Sequence, residues 1–308
     1  MRLKQVTCPV LLALIVFTST ASARSFEWHP GERVLGEPSW ITTEYEDTFA
    51  GIGEQYGYGF LELVRANPDV DPWLPGDGSR IRMPSRHLLP SGPHKGIVIN
   101  LAEYRLYHFR DNRVVTYPVG IGNTNNPSPL TSTRIRMRLE SPAWYPPESI
   151  RAEAREKGDP LPRMIPPGPA NPLGPFALQL EEDGYLIHGT NKRFGVGQQV
   201  SHGCIRMYNH HIEEMVWEVD KGSRVRIVKE PVKAAVEQDT VWLQVHGQRE
   251  SLDDTDRDEL WRKAEAAAER IRADYRGVEI NRERLEETVE QADGIATRIG
   301  MVTGTASG

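Results

Sequence analysis

The stretch from residue 96 to residue 230 is cut into short runs separated by turn residues, and this limits the fold more than any other feature. "GIVINL", "YRLYHF" and "VVTYPVG" are rich in β-branched and aromatic residues and are divided by "AE" and "RDN". "TRIRMRLE", "FALQL", "GYLIHG" and "SRVRIVK" continue the series. Runs of this length and composition read as strands. Many of them in succession predict a mainly β domain, a sandwich or a barrel-like sheet. One helix is expected within it, "HHIEEMVWEVDKG", with Ile212, Met215, Val216 and Val219 on one face and Gly222 as C-cap. Residues 141–175 interrupt the strands with too much proline for a sheet interior. A loop this long inside a domain suggests a lid over a cleft, with Trp144 and Tyr145 as candidate substrate platforms.

The flanks have other textures. Arg2 and Lys4, the apolar "CPVLLALIVF" and Ala21-Ser22-Ala23 form the pattern of a secretory signal peptide over residues 1–23, with Arg24 as the mature start. No second apolar run follows, so no membrane span is expected in the mature chain. Residues 37–86 read as strand, helix, helix, strand: "WITTEY", "EDTFAGIGEQYG", "GFLELVRANP" and "SRIRMP". Residues 87–95 are a Pro/Gly-rich linker. Residues 231–308 form a charged extension, expected to be helical. Leu260, Ala264, Ala267, Ile271 and Tyr275 make one stripe, with a capping box at Thr255 and Asp258. Leu285, Val289, Ala292, Ala296 and Ile299 make a second, suggesting a helical hairpin. The net charge of −6 argues against a nucleic-acid partner.

Loss of the signal would remove Cys8 and leave Cys204 as the only cysteine. An exported protein that uses cysteine structurally pairs it. An unpaired one is buried or reactive. Cys204 sits in "SHGCIRM", sixteen positions after His188 in "YLIHGTN". Glycine before a nucleophile allows a tight turn and close approach of substrate. The backbone N–H groups of Gly203 and Cys204 could then serve as an oxyanion hole. A histidine in reach of the thiol would lower its pKa or take its proton. The residue types fit Cys-His acyl transfer. A zinc site from Cys204, His202 and His210 matches no usual ligand spacing, so no metal and no cofactor are expected. His210 and His211 are expected at a helix start, solvated or capping.

"IHGTN" followed by "SHGCIRM" resembles the L,D-transpeptidase family, with its YkuD-type catalytic domain, over roughly residues 96–230. "PPGPANPLG" and "GSRVRIV" belong to the same likeness. The resemblance implies Cys204 as nucleophile and His188 as general base. It implies that His202, Gly203 and Ser201 shape the oxyanion hole and the turn. Arg206, Gly189, Thr190 and Asn191, with Trp144 and Tyr145, become candidates for binding substrate. Arg206 suits a carboxylate because its planar fork can pair bidentately. Many relatives carry Thr-Pro-x-Gly where this chain reads Ser128-Pro129-Leu130-Thr131, so a reshaped turn is expected there. Residues 37–86 resemble a LysM module, through Asp47-Thr48, Asn67-Pro68, Pro75-Gly76 and Ile81-Arg82-Met83-Pro84.

Together these imply a periplasmic cysteine L,D-transpeptidase acting on peptidoglycan tetrapeptide stems and glycan. The acceptor could be a diaminopimelate amine, giving 3→3 crosslinks, or a lysine of an outer-membrane lipoprotein. Water would make the enzyme an L,D-carboxypeptidase, and the same site could release a lipoprotein from peptidoglycan. The reading from another class is a non-catalytic peptidoglycan-binding scaffold.

Overall fold

The computed structural model describes residues 23–247 and 254–304. The expected signal peptide and Cys8 lie outside these residues, and so does the side chain of Thr255 in the expected capping box.

The first described segment, Arg24–Glu27, is an edge strand of the main sheet, antiparallel to Arg113–Pro118. A compact unit follows. Strand Ser39–Thr42 leads to helix α1 (Phe49–Tyr56), helix α2 (Phe60–Ala66) and strand Arg80–Met83. The two strands pair antiparallel, Ile41 opposite Ile81. Thr48 caps α1 by accepting from the Gly51 amide at 3.1 Å, and Gly57 ends it in the left-handed region. Phe49, Ile52, Tyr58, Leu63 and Ile81 bury the unit's own small core. The Pro/Gly-rich linker begins with a short strand, His87–Leu88, paired to Val34–Leu35.

The centre is one nine-stranded mixed sheet. Its order is Arg24–Glu27, Arg113–Pro118, Arg105–Arg110, Gly96–Asn100, Arg224–Val228, Thr131–Glu140, Phe176–Leu180, Leu186–His188 and Ile205–Arg206. Two neighbour pairs are parallel, Gly96–Asn100 with Arg224–Val228 and Leu186–His188 with Ile205–Arg206. Between Thr131–Glu140 and Phe176–Leu180 the chain makes the proline-rich excursion, which contains helix α3 (Glu148–Glu156). α3 buries no side chain. The excursion is held at its base by Trp144 and Ile165, which exchange backbone hydrogen bonds of 2.9 and 2.8 Å.

Helix α4 (Asn209–Val216) supplies the second layer that a sandwich would take from another sheet. Ile212, Met215, Val216 and Val219 pack among Ile97, Leu106, Tyr117 and Leu178. The expected stripe is therefore the core face. Each such side chain contributes about 1.5–3 kcal/mol by leaving water. α4 stops six residues before Gly222, whose amide instead binds Ile135 O at 2.7 Å. Its first turn departs from expectation as well, because His211 is fully buried against Tyr117 and Tyr208 rather than solvated.

The C-terminal extension is half helical. Helix α5 (Asp254–Asp274) and helix α6 (Arg282–Gln291) pack on a four-stranded antiparallel sheet. The sheet runs Val232–Glu237, Thr240–Val245, Thr297–Val302, Val278–Ile280. The stripe assigned to a second helix is thus divided. Leu285 and Val289 lie on α6, Ala292 is its left-handed C-cap and Ile299 lies in a strand. A helical period and a strand both bring Ile299 to the same apolar side, so periodicity alone did not separate them.

Two buried polar networks lock the parts together. Arg105, fully buried in the main sheet, pairs bidentately with Glu62 of α2 at 2.9 and 2.7 Å, and its remaining nitrogen binds Thr116 at 2.9 Å. Lys233 of the extension donates to Glu103 at 2.7 Å, and Glu103 also accepts from Tyr107 and Asn100.

Candidate active site

The register of the last two strands of the sheet sets the site. Leu186–His188 and Ile205–Arg206 run parallel, with Ile187 beside Ile205 and His188 beside Arg206. Side chains along a strand alternate between faces. His188 and Arg206 therefore share a face, and Cys204 lies in the bend that leads into the second strand, two residues before Arg206, whose charge acts on both Cys204 and His188.

His188 is buried, with 4% of its surface exposed. Its Nδ1 contacts the Gly189 carbonyl oxygen at 2.6 Å. A carbonyl only accepts, so Nδ1 carries the proton and Nε2 keeps its lone pair. Burial, with the Arg206 guanidinium nearby, lowers the His188 pKa to about 4, against the pull of the Gly189 bond. The imidazole is a neutral base at neutral pH. Cys204 is partly buried, and its Sγ donates to Gly184 O at 3.7 Å. Burial raises its pKa, opposed by a backbone hydrogen bond from Leu186 and the charge of Arg206. Of the two expected roles for a histidine, lowering the thiol pKa or taking its proton, the first is not seen: the thiol pKa is raised, and thiol and imidazole both rest neutral.

The turn before Cys204 is built by Ser201. Its hydroxyl accepts from Gly203 N at 3.1 Å and donates to Cys204 O at 2.6 Å. The Gly203 amide is thereby occupied, which corrects the expectation that both Gly203 and Cys204 N–H face a common oxyanion. Gly203 has φ +103°, and a Cβ there would lie 2.9 Å from the Tyr185 ring, so only glycine fits. His202 turns outward, its Nε2 2.9 Å from Glu153 on α3. This contact ties the proline-rich excursion to the turn before Cys204. Glu153 is held at a pKa of about 2 by Lys157 and then by His202. His210 stacks on Tyr208, so it does not join His202 and Cys204.

Beside the turn lies an open groove of about 1210 Å³. Arg206, Thr190, Asn191 and His202 line it, with Pro169 and Asn171 from the excursion. The Arg206 guanidinium has no acceptor among the described residues, and its Nε is buried without a partner. Thr190 accepts from Lys192 N at 2.9 Å, and Asn191 donates to Ala170 O at 2.9 Å. Gly189 is hemmed by Asn209 Oδ1 and Pro175. Trp144 and Tyr145 stand apart from the groove's lining, Tyr145 at 69% exposure.

Two positioning residues escaped the sequence reading. Asn209, at the start of α4, accepts from Thr190 N at 2.7 Å and so fixes the turn after His188. Asn171, fully buried, donates to Pro142, Ile165 and Pro166 carbonyls and accepts from Leu173 N. An asparagine at a helix start after a strand, and one inside "PPGPANPLG", were the available signals. At the departure from the usual motif, Thr131 begins an extended strand and has no positive φ. The turn there is held by Ser128 instead, which is buried.

The family model for the L,D-transpeptidase catalytic domain, YkuD, matches residues 94–227. The probable L,D-transpeptidase YbiS of Escherichia coli K12 is 39% identical over 241 residues, 76% of this chain and 78% of that protein. The probable L,D-transpeptidase ErfK/SrfK of the same strain is 38% identical over 244 residues, 76% of this chain and 77% of that protein. The putative L,D-transpeptidase YkuD of Bacillus subtilis is 27% identical over 184 residues, 59% of this chain and 93% of that protein. Matches of this extent run past the catalytic domain into both flanks, and on them the chain belongs to the L,D-transpeptidase family of enzymes.

Proposed function

We propose that this chain is an exported, periplasmic L,D-transpeptidase that acts on peptidoglycan tetrapeptide stems through a thioester on Cys204. The observation that carries the reading is the register of His188 beside Arg206, two residues from Cys204, with the unpaired Arg206 guanidinium in an open groove. His188 Nε2 takes the thiol proton as sulfur attacks the carbonyl of the third stem residue. The C–S bond forms, the amide C–N bond to the terminal D-Ala breaks, and the leaving nitrogen takes the proton from His188. An amine then attacks the thioester, the C–S bond breaks, and the proton it sheds returns to sulfur through His188. Arg206 would hold a stem carboxylate by charge-assisted hydrogen bonds.

The acceptor decides between crosslinking, lipoprotein attachment and hydrolysis, and one experiment separates them. Residues 24–308 are incubated with disaccharide-tetrapeptide, alone and with a lysine-ended lipoprotein peptide, and the products are weighed. A crosslinked dimer, a peptide adduct or a bare tripeptide identifies the acceptor. Release of D-Ala by Cys204→Ser at the parent rate would overturn the nucleophile. A lipoprotein hydrolase would release the peptide from a preformed adduct, and a scaffold would bind without any product. The strand-helix-helix-strand unit at residues 39–83 is proposed, on its LysM-like sequence, to contact glycan, with exposed Trp40 and Trp73 as stacking surfaces.

A further inference from the structure

Ser128 opens the stretch Ser128-Pro129-Leu130-Thr131, 75 residues from Gly203 in sequence. It is buried, and its hydroxyl makes two hydrogen bonds. It accepts from Gly122 N at 2.9 Å and donates to Gly203 O at 2.8 Å. The second bond grips the peptide group that joins Gly203 to Cys204.

A trans peptide is planar, with its C=O and N–H pointing in opposite directions. Holding the Gly203 oxygen therefore sets the direction of the Cys204 N–H. That N–H points away from Ser128 and has no acceptor among the described residues. The Gly203 N–H is already taken by Ser201. Gly203 alone would not hold the plane, because glycine at φ +103° has easily accessible alternatives. Ser201 fixes the groups on either side of this peptide, and Ser128 fixes the peptide itself.

We propose that Ser128 is a positioning residue for acyl transfer: its hydroxyl orients the Gly203–Cys204 peptide so that the Cys204 amide donates to the oxygen of the tetrahedral intermediate. The proposal rests on the acyl-transfer reading above. Losing one oxyanion donor typically costs 10²–10³ in rate. Releasing the peptide rather than deleting the donor should cost less, on the order of 10- to 100-fold.

The test uses two reactions of the same sulfur. A carbapenem acylates Cys204: sulfur adds to the lactam carbonyl, the ring C–N bond breaks and the nitrogen takes the proton, through an oxyanion. Iodoacetamide alkylates Cys204 by displacing iodide, with no oxyanion. Both rates are followed by intact mass on the parent, Ser128→Ala, and the near-isosteric pair Ser128→Thr and Ser128→Val. Acylation should fall about 10- to 100-fold in Ser128→Ala and Ser128→Val and be largely kept in Ser128→Thr, with alkylation within about twofold of the parent throughout. Equal acylation by the Thr and Val variants, or a fall in alkylation matching the fall in acylation, would overturn the proposal. The Thr/Val comparison decides the matter if Ser128→Ala does not fold. A parent that takes up no carbapenem on Cys204 would instead bring down the acyl-transfer reading.

Discussion

His188 and Cys204 are both neutral at rest, and this sets how the site should respond to pH. Burial raises the thiol, so direct alkylation of Cys204 by iodoacetamide should climb with pH and reach half its plateau above 9.0, the thiol's ordinary value. A plateau at neutral pH would mean a thiolate-imidazolium pair and would contradict the buried neutral arrangement. His188 has the opposite shift. Its folded pKa of about 4 lies below the ordinary 6.5, so between these values the unfolded chain binds a proton that the folded protein refuses. The stability tied to the neutral ring is whole above pH 6.5 and is lost as pH falls towards 4, by roughly 3 kcal/mol in all. His87, His108, His211 and His246 are also buried with lowered pKa values and add to the same slope. His188→Gln should therefore flatten the urea midpoint between pH 6.5 and 4 relative to the parent, and a slope unchanged by the substitution would remove His188 from the account.

At the scale of elements, α3 is the loosest piece near the site. It buries no side chain, and its contact to the turn before Cys204 is Glu153 to His202. Exposed ion pairs hold weakly, so the contact should be broken often. Glu153→Gln should speed amide exchange over residues 148–156 a few-fold, while exchange in α4, with its apolar face inside the core, stays as in the parent. Identical exchange of α3 in both proteins would show that backbone bonds such as Trp144 to Ile165 hold the excursion by themselves. The two helices differ in legibility for the same reason. α4 carries an apolar stripe that must be buried. α3 has only Ile150, Ala152 and Ala154 as apolar residues, buries none of them fully, and sits among prolines, so its signal was weak.

Across the whole molecule, the N-terminal unit is part of the catalytic domain's support. Glu62 and Arg105 are buried together, and Arg105 lies in the main sheet. The Gly59 and Gly197 backbones touch, a Cβ on Gly197 falling 2.3 Å from Gly59 Cα. Removing one member of a buried pair leaves an uncompensated charge. Glu62→Ala should cost about 3–5 kcal/mol in a denaturant titration, whereas replacing both partners, Glu62→Leu with Arg105→Met, should recover much of that loss. A Glu62→Ala loss below about 1 kcal/mol would mean water reaches the guanidinium. A chain begun near Pro93 would lack Glu62 and the edge strand Arg24–Glu27, and should melt well below the full protein.

The sequence alone carried the local instructions. The strand runs of residues 96–230 and the apolar face of α4 were legible because periodicity and turn residues act over a few positions. "SHGC" was legible because a glycine before a lone cysteine has few structural uses. The C-terminal strands were missed where charge and helical spacing masked them, as at Ile299. Three things belonged to the tertiary structure. The parallel register sets His188 beside Arg206, two residues from Cys204, and no spacing encodes a register. Burial sets the His188 and Cys204 pKa values, and burial depends on what the rest of the chain packs over them. Ser128 reaches Gly203 across 75 residues. A hydrogen bond of that range exists only after the sheet has closed, because a short side chain carries no sign in sequence of the distant carbonyl it will hold.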